Sequence, residues 1–174
     1  MRDLAAAAIL TALAVPMLAA SAQPLQDPLV QHLIGEWVLE GTIGGERTTH
    51  DVVAEWVLER QYVQLHEIAR EADAAGRPAY EAIVTIGWDG ASQRYACLWL
   101  DSTGGGGLVP TAIGYAVPSG DSIPFLFHFP DGSLFHNTFL YHRDSDTWEW
   151  HLDGEGDDGT LQPFARVTLS RREP

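Results

Sequence analysis

Cysteine and basic residues are scarce in this chain, and each scarcity argues against a class of structure or partner. Cys97, in the segment RYACLWLD, is the only cysteine among 174 residues, so no intramolecular disulfide can form. Its surroundings in the sequence supply neither the base nor the positive setting that a nucleophile needs, and we predict a buried, inert thiol. Ten Lys+Arg against 24 Asp+Glu give a formal net charge of −14. Such a field repels phosphate backbones and anionic lipid surfaces, so we expect no nucleic-acid partner.

Long apolar runs are absent except at the start of the chain. The segment MRDLAAAAILTALAVPMLAASAQPL has a positive residue at Arg2, an Ala/Leu-rich stretch from Leu4 to about Ala20, and a small-x-small ending at Ala22. We predict a signal peptide at 1–22 and export to the periplasm or the outside of the cell. An uncleaved membrane anchor is the alternative, although the stretch is barely as long as the ~20 residues that a span needs. After cleavage we expect no membrane span.

Helical periodicity is also hard to find after Ala22, apart from a possible turn in QDPLVQHLIG. Instead the polar and apolar residues alternate with a period of two, and turn signals recur every ten or so residues. The predicted strands are GEWVLEGTI, DVVAEWVL, YVQLHEIA, YEAIVTIGW, RYACLWLD, LVPTAIGYAV, SIPFLFHF, SLFHNTFLYH, TWEWHLD and QPFARVTLSRR. We therefore predict an N-terminal extension at 23–32 and a single β domain at 33–172.

About ten consecutive antiparallel strands must protect their edges, and closing the sheet on itself does so. The predicted fold is therefore all-β, an up-and-down antiparallel barrel of about ten strands. A sandwich is the competing architecture.

The register of the last strands can be predicted from one turn. FPDGS is typical of a type I turn closed by a glycine bulge, which would pair Phe129 with Ser133 and Phe127 with Phe135. Continuing across the RDSD loop sets Phe139 against Trp150, core residue against core residue. A slip of one residue would scatter these aromatics over both faces, which is disfavoured where one face is buried.

Four of the seven histidines lie in this region, and the predicted register points them outward. Two interpretations stay open: a solvated face, or a surface transition-metal site of imidazoles and a carboxylate. The candidate ligands are His128, His136, His151 and Asp153. An inward histidine could instead be an axial haem ligand, but His66 lies outside the barrel if Glu59 and Arg60 form a hairpin turn. We predict no cofactor; the alternative is a redox protein that binds haem or a transition metal.

No catalytic residue stands out. DSTGGGG lacks the lysine and the helix of a phosphate loop and is better interpreted as a loop at the barrel mouth. Carboxylates such as Asp51, Glu55 and Glu67 are interpreted as outward strand positions, and no acid/base pair is evident. Whether the protein is an enzyme stays open, and the balance is against it.

Aromatic residues are the strongest functional indication. A barrel of this size can enclose one small ligand, and aromatic walls suit an apolar or planar guest. We predict that such a ligand binds inside; a fully packed interior and a structural or interaction module are the alternatives. The sequence does not indicate an oligomeric state. The predicted ligand-binding residues are Trp37, Trp56, Trp88, Trp99, Phe127, Tyr141, Trp148 and Trp150.

Several segments resemble the DUF1579 family of uncharacterised, mostly bacterial proteins. They are HLIGEWVLEGTIGG, AEWVLERQYVQL, YEAIVTIGWDGASQRYACLWLDSTG and FHNTFLYHRDSDTWEWHLDGEGDDGTLQPFARVTLSR, spanning about 33–171. More distantly, the Gly35-x-Trp37 opening is similar to that of lipocalins and other calycins, in which a C-terminal arginine packs over the tryptophan. That resemblance implies a calycin-like barrel, with Arg166 or Arg171 in that role. Nitrobindin-like haem proteins share this plan, but their haem needs an inward histidine near the C-terminus, and His151 is predicted to face outward.

Overall fold

Ten strands make up most of the described residues in the computed structural model, which covers residue 25, residues 27–103 and residues 108–173. The predicted signal peptide and the glycine run at 104–107 lie outside the described residues. The elements in chain order are α1 (Pro28–Gln31), β1 (Gly35–Ile43), β2 (Glu46–Val57), β3 (Tyr62–Ala69), β4 (Glu81–Asp89), β5 (Arg94–Asp101), a 3₁₀ turn (Pro110–Ala112), β6 (Ile113–Ala116), β7 (Ser122–His128), β8 (Leu134–His142), β9 (Thr147–Glu155) and β10 (Leu161–Arg171). Within the described part of the chain no helix is both long enough and apolar enough to cross a membrane.

The strands form a closed antiparallel barrel, which confirms the predicted fold class and excludes the sandwich. Each strand pairs with the next, and β1 closes the barrel against β10, from Trp37 opposite Arg171 to Ile43 opposite Ala165. The main difference from the prediction is β2, which begins at Glu46 rather than Asp51. Its first half carries polar residues on the inner face, including Thr48 and His50, so the apolar alternation does not reveal it.

The predicted register of β7, β8 and β9 is confirmed. The amide of Phe129 donates to the carbonyl of Ser133 over 2.9 Å, and Gly132 takes the left-handed conformation with φ +89°. Phe127 therefore pairs with Phe135, and Phe139 with Trp150. The Phe139 ring stacks on the indole of Trp150 with centroids 4.5 Å apart, so the predicted core face is the interior.

The helix α1 closes one end of the barrel, which we call the helix end. Asp27 caps α1 by accepting a hydrogen bond from the amide of Leu29 over 2.7 Å. Leu29, Val30 and Leu33 are buried against the barrel interior. The Trp37 indole donates to the Leu33 carbonyl over 2.7 Å, so the segment predicted as an N-terminal extension packs as part of the core.

Arg171 fastens the helix end. Its guanidinium carbon lies 3.8 Å from the centroid of the Trp37 ring, and its Nη1 donates to the carbonyl of Ile34 over 2.7 Å. Its Nε donates to Asp146 over 2.9 Å. Only glycine fits at position 35, because φ is +136° and a Cβ would lie 2.3 Å from Arg171 Nη1. Of the two arginines suggested by the sequence, Arg171 therefore covers Trp37.

Cys97 lies on the inner face of β5 and is completely buried. Burial raises the pKa of its thiol well above the usual range, because the thiolate would be poorly solvated there. The prediction of a buried thiol is confirmed.

Candidate ligand-binding cavity

The interior is packed at the helix end but hollow at the other, which we call the cavity end. A cavity of about 530 Å³ lies there, within the size range of small-molecule sites. Most of the wall is apolar, and the strands contribute it through their inward side chains. The main apolar and aromatic wall residues are Leu39, Ile43, Ala69, Tyr80, Trp99, Phe127, Phe129, Phe135, Trp150, Leu152, Phe164, Ala165 and Val167.

Three of the eight predicted ligand-binding residues line this cavity: Trp99, Phe127 and Trp150. Phe127 reaches it across Gly114, where a Cβ would lie 2.6 Å from the Phe127 ring. The indoles of Trp99 and Trp150 meet edge to face with centroids 6.3 Å apart.

The other five predicted residues do not line this cavity. Trp37, Tyr141 and Trp148 fill the helix end, where α1 packs on them. Trp56 also lies at that end, and its indole donates to Gln31 of α1 over 3.2 Å. Trp88 comes at the end of β4, where it packs against the edge of Tyr95 and remains 45% exposed. Aromatic content alone did not distinguish the packed half of the barrel from the hollow half.

A polar pair that the sequence prediction missed lies in the cavity. His50 on β2 and Glu67 on β3 are 3% and 2% exposed, and His50 Nδ1 is hydrogen-bonded to Glu67 Oε1. His50 Nε2 lies 2.7 Å from the hydroxyl of Thr48. The prediction that Glu67 points outward is wrong: Leu65 faces inward, so Glu67, two residues later on the same strand, does too. Continuing the alternation of Val52 and Ala54 back to His50 would have placed the histidine inside as well.

Tyr80 and Trp99 extend this polar group. The Tyr80 ring stacks on the His50 imidazole with centroids 5.5 Å apart, and the Trp99 indole donates to the Tyr80 hydroxyl over 3.1 Å. Burial of Tyr80, together with the nearby negative charge of Glu67, raises the pKa of the phenol well above its usual range. The hydroxyl therefore stays protonated and can donate a hydrogen bond. Together these groups can orient a ligand through hydrogen bonds.

Two more polar atoms on the cavity wall have no hydrogen-bond partner among the described residues. They are the Asn137 carbonyl oxygen Oδ1 and the Trp150 indole nitrogen Nε1, and both are buried. Most buried polar groups in proteins are paired, so an unpaired acceptor and an unpaired donor on neighbouring strands are unusual. Packing alone does not explain why these two polar groups are buried without a partner.

The mouth of the cavity is aromatic and acidic. Phe129, Phe135 and Phe164 form a chain of edge-to-face contacts, with centroids 6.3 and 6.0 Å apart. Charged side chains of the cavity lining comprise four carboxylates and one guanidinium: Glu46, Glu67, Glu71, Asp101 and Arg47. The cavity is therefore electronegative.

The alternative metal site on the outer face is not assembled. His136 pairs with Glu155 over 2.6 Å, and His151 lies 3.2 Å from Glu149. Asp153 pairs with Arg166 over 2.5 Å. His128 is exposed at the end of β7, and among the described residues no three His, Cys, Asp or Glu side chains converge on a point that could hold a metal ion.

Among the described residues, the histidines considered as haem ligands do not present a free ring nitrogen to the cavity. His66 lies on the outer face beside Glu81, 2.7 Å away, and His151 is also on the outside. His50 faces inward, but its two ring nitrogens are engaged by Glu67 and Thr48. These three histidines therefore do not fit the role of an axial haem ligand in the cavity.

Comparison with known proteins supports the class of fold, a closed antiparallel β-barrel. No protein-family model and no curated protein match the chain. Among solved structures, the crystal structure of Rv2717c from M. tuberculosis is similar, with a TM-score of 0.50 and 15% sequence identity. The similarity covers 84% of this chain and 99% of that chain. At this identity the likeness shows the fold alone.

Proposed function

We propose that this protein binds one small, largely apolar or aromatic molecule in the cavity end of its barrel. The observation that carries the proposal is the cavity of about 530 Å³ with a buried histidine and carboxylate in its wall. Ligand sites typically combine a mostly apolar concave wall with a few convergent polar groups. Here Trp99, Phe127 and Trp150 supply the apolar wall, while His50 and Glu67 supply the polar groups.

The buried pair argues for a ligand rather than for a packing defect. Removing a carboxylate from water is costly unless it is paired and hydrogen-bonded, and well-packed apolar residues would fill the same space at least as favourably. The helix end of this barrel shows that the chain can fill its interior with aromatics such as Trp37 and Trp148. A binding site requires a hollow space with polar groups in its wall. A purely structural barrel does not require one, because apolar side chains could fill both halves.

The proposed family and cellular location are based on the sequence. We propose membership of the DUF1579 family and a calycin-like ancestry, which the Arg171 guanidinium over Trp37 supports. We also propose export, on the basis of the apolar segment that ends at Ala22. An exported binding barrel would carry or sequester its ligand outside the cytoplasm.

Native mass spectrometry of the protein purified without a metal-affinity tag tests the proposal. A mass excess that disappears on denaturation would support it, and its value would separate an organic molecule from haem or a metal ion. A bare mass, together with no adduct after incubation with a set of small arylalkyl compounds, would contradict it.

A further inference from the structure

The charge of the cavity restricts the chemistry of its ligand. Four carboxylates and one guanidinium line it, and the whole chain has a formal net charge of −14. Both the local and the long-range field therefore oppose entry of an anion, such as a fatty acid, and favour entry of a cation. This argues against the carboxylate-headed ligands that an apolar barrel could otherwise hold.

Glu67, the most buried of these four carboxylates, has one oxygen atom that is free to accept a hydrogen bond. Glu67 is 2% exposed, its Oε1 is bound to His50 Nδ1, and its Oε2 has no hydrogen-bond partner among the described residues. The Thr48 hydroxyl, 2.7 Å from His50 Nε2, donates its one hydrogen to Glu71 Oε2 over 3.2 Å, so its oxygen accepts from the His50 ring. These contacts of the imidazole leave Glu67 Oε2 free. A buried carboxylate oxygen without a hydrogen-bond partner favours a charged donor.

The side chains around Glu67 also suit an organic cation. The Tyr80 ring packs on His50, and the Trp99 and Trp150 indoles form the adjoining wall. Aromatic faces attract a cation through their quadrupole, and the attraction grows when the cation is desolvated. An ammonium group at Glu67 would have aromatic rings beside it, while an attached ring system would lie against the apolar wall.

We propose that the ligand is an arylalkyl amine or a similar protonated organic base, held with its N–H at Glu67 Oε2. This inference rests on the proposed binding function and names the ligand class for the same cavity. His50 is a positioning residue here, because it holds one oxygen of Glu67 and directs the other to the ligand.

Three probes with nearly the same body and different head groups test the proposal: 2-(1-naphthyl)ethylammonium, 2-(1-naphthyl)ethanol and 1-naphthylacetate. Binding is measured by isothermal titration calorimetry. We expect the ammonium to bind at least about tenfold more tightly than the alcohol, and the carboxylate to bind at least about tenfold more weakly than the alcohol. If the alcohol or the carboxylate binds as tightly as the ammonium, the inference fails while the proposed binding function stands. If none of the three binds, the proposed function fails as well.

The variant Glu67→Gln tests whether Glu67 causes the preference for the ammonium probe, because it removes the negative charge and keeps an oxygen that can accept from His50. The ammonium should fall to the affinity of the alcohol, while the affinity of the alcohol changes by less than about twofold. The matched control is Glu55→Gln on the outer face of β2, which removes the same charge outside the cavity, where salt and water screen it, and should change ammonium binding by less than about threefold. Equal losses in both variants would overturn the role of Glu67. Should Glu67→Gln not fold, the order of the three probes on the native protein still decides the proposal.

Discussion

Two buried tryptophans on the same strand allow a sharp test of the packing described above. Trp148 and Trp150 lie two residues apart on β9 and are 0% and 1% exposed. The Trp148 indole donates to the carbonyl of His32 over 3.3 Å, whereas the Trp150 indole nitrogen has no partner among the described residues. Replacing each by phenylalanine removes a similar apolar area, but only one replacement removes a hydrogen bond. The other removes an unpaired buried donor.

The magnitudes of the two substitutions differ accordingly. Loss of the second ring lowers the free energy of unfolding by roughly 1 kcal/mol in each variant. Trp148→Phe loses a further ~1 kcal/mol with its hydrogen bond. The His32 carbonyl is not orphaned, because Arg171 also donates to it over 3.2 Å. Trp150→Phe regains roughly 1–3 kcal/mol by removing an unpaired donor, so its stability should stay near that of the native protein or exceed it.

Urea unfolding followed by far-ultraviolet circular dichroism measures the difference. We expect Trp148→Phe to be roughly 2–4 kcal/mol less stable than Trp150→Phe, a gap of roughly 4–16 °C in Tm for a domain of this size. Equal losses in the two variants would refute the reasoning, since they would show that the Trp150 indole has a partner.

Two further predictions concern the helix end. Gly35→Ala should lower the free energy of unfolding by roughly 1–3 kcal/mol more than Gly45→Ala, because both glycines have positive φ but only a Cβ at Gly35 would collide with Arg171; equal urea midpoints would contradict this. The hydrogen bond from Arg171 holds the pKa of Asp146 below its usual range, so Asp146 stabilises the fold above the pKa of an unfolded aspartate and loses that contribution as pH falls through the folded value. Urea midpoints of the native protein and Asp146→Asn should therefore differ at neutral pH, and the gap should shrink as pH falls below about 4. A gap that does not shrink in acid would count against the ion pair.

The barrel and most of its register could be predicted from the sequence because their signals are local. Alternation along each strand and the FPDGS turn decide which residues face the core, and the pairing of Phe139 with Trp150 follows. The same alternation distinguishes the inner face of β7 to β9 from the outer face. Even β2, whose start was missed, keeps the register expected from its apolar half, with Ala54 opposite Leu65.

The candidate site could be predicted only in part, because it depends on contacts between distant segments. Docking of α1 decides which half of the interior is filled, and no pattern in Trp37 or Trp148 shows that a helix will pack on them. The polar pair gave a weaker signal, since strand alternation places His50 and Glu67 inside. That the two side chains meet, and that the space beside them is hollow, follows only from the closed barrel.

The most direct test of the central claim is whether a neutral apolar probe binds inside the cavity end. We would titrate the protein with N-phenyl-1-naphthylamine, follow the dye fluorescence, and compare Ala69→Trp, which fills the cavity, with Ala96→Trp on the outer face of β5. Our account predicts saturable one-to-one binding to the native protein and to Ala96→Trp, and at least a roughly tenfold loss of affinity in Ala69→Trp. Undiminished binding to a folded Ala69→Trp, or no saturable binding to the native protein, would contradict it.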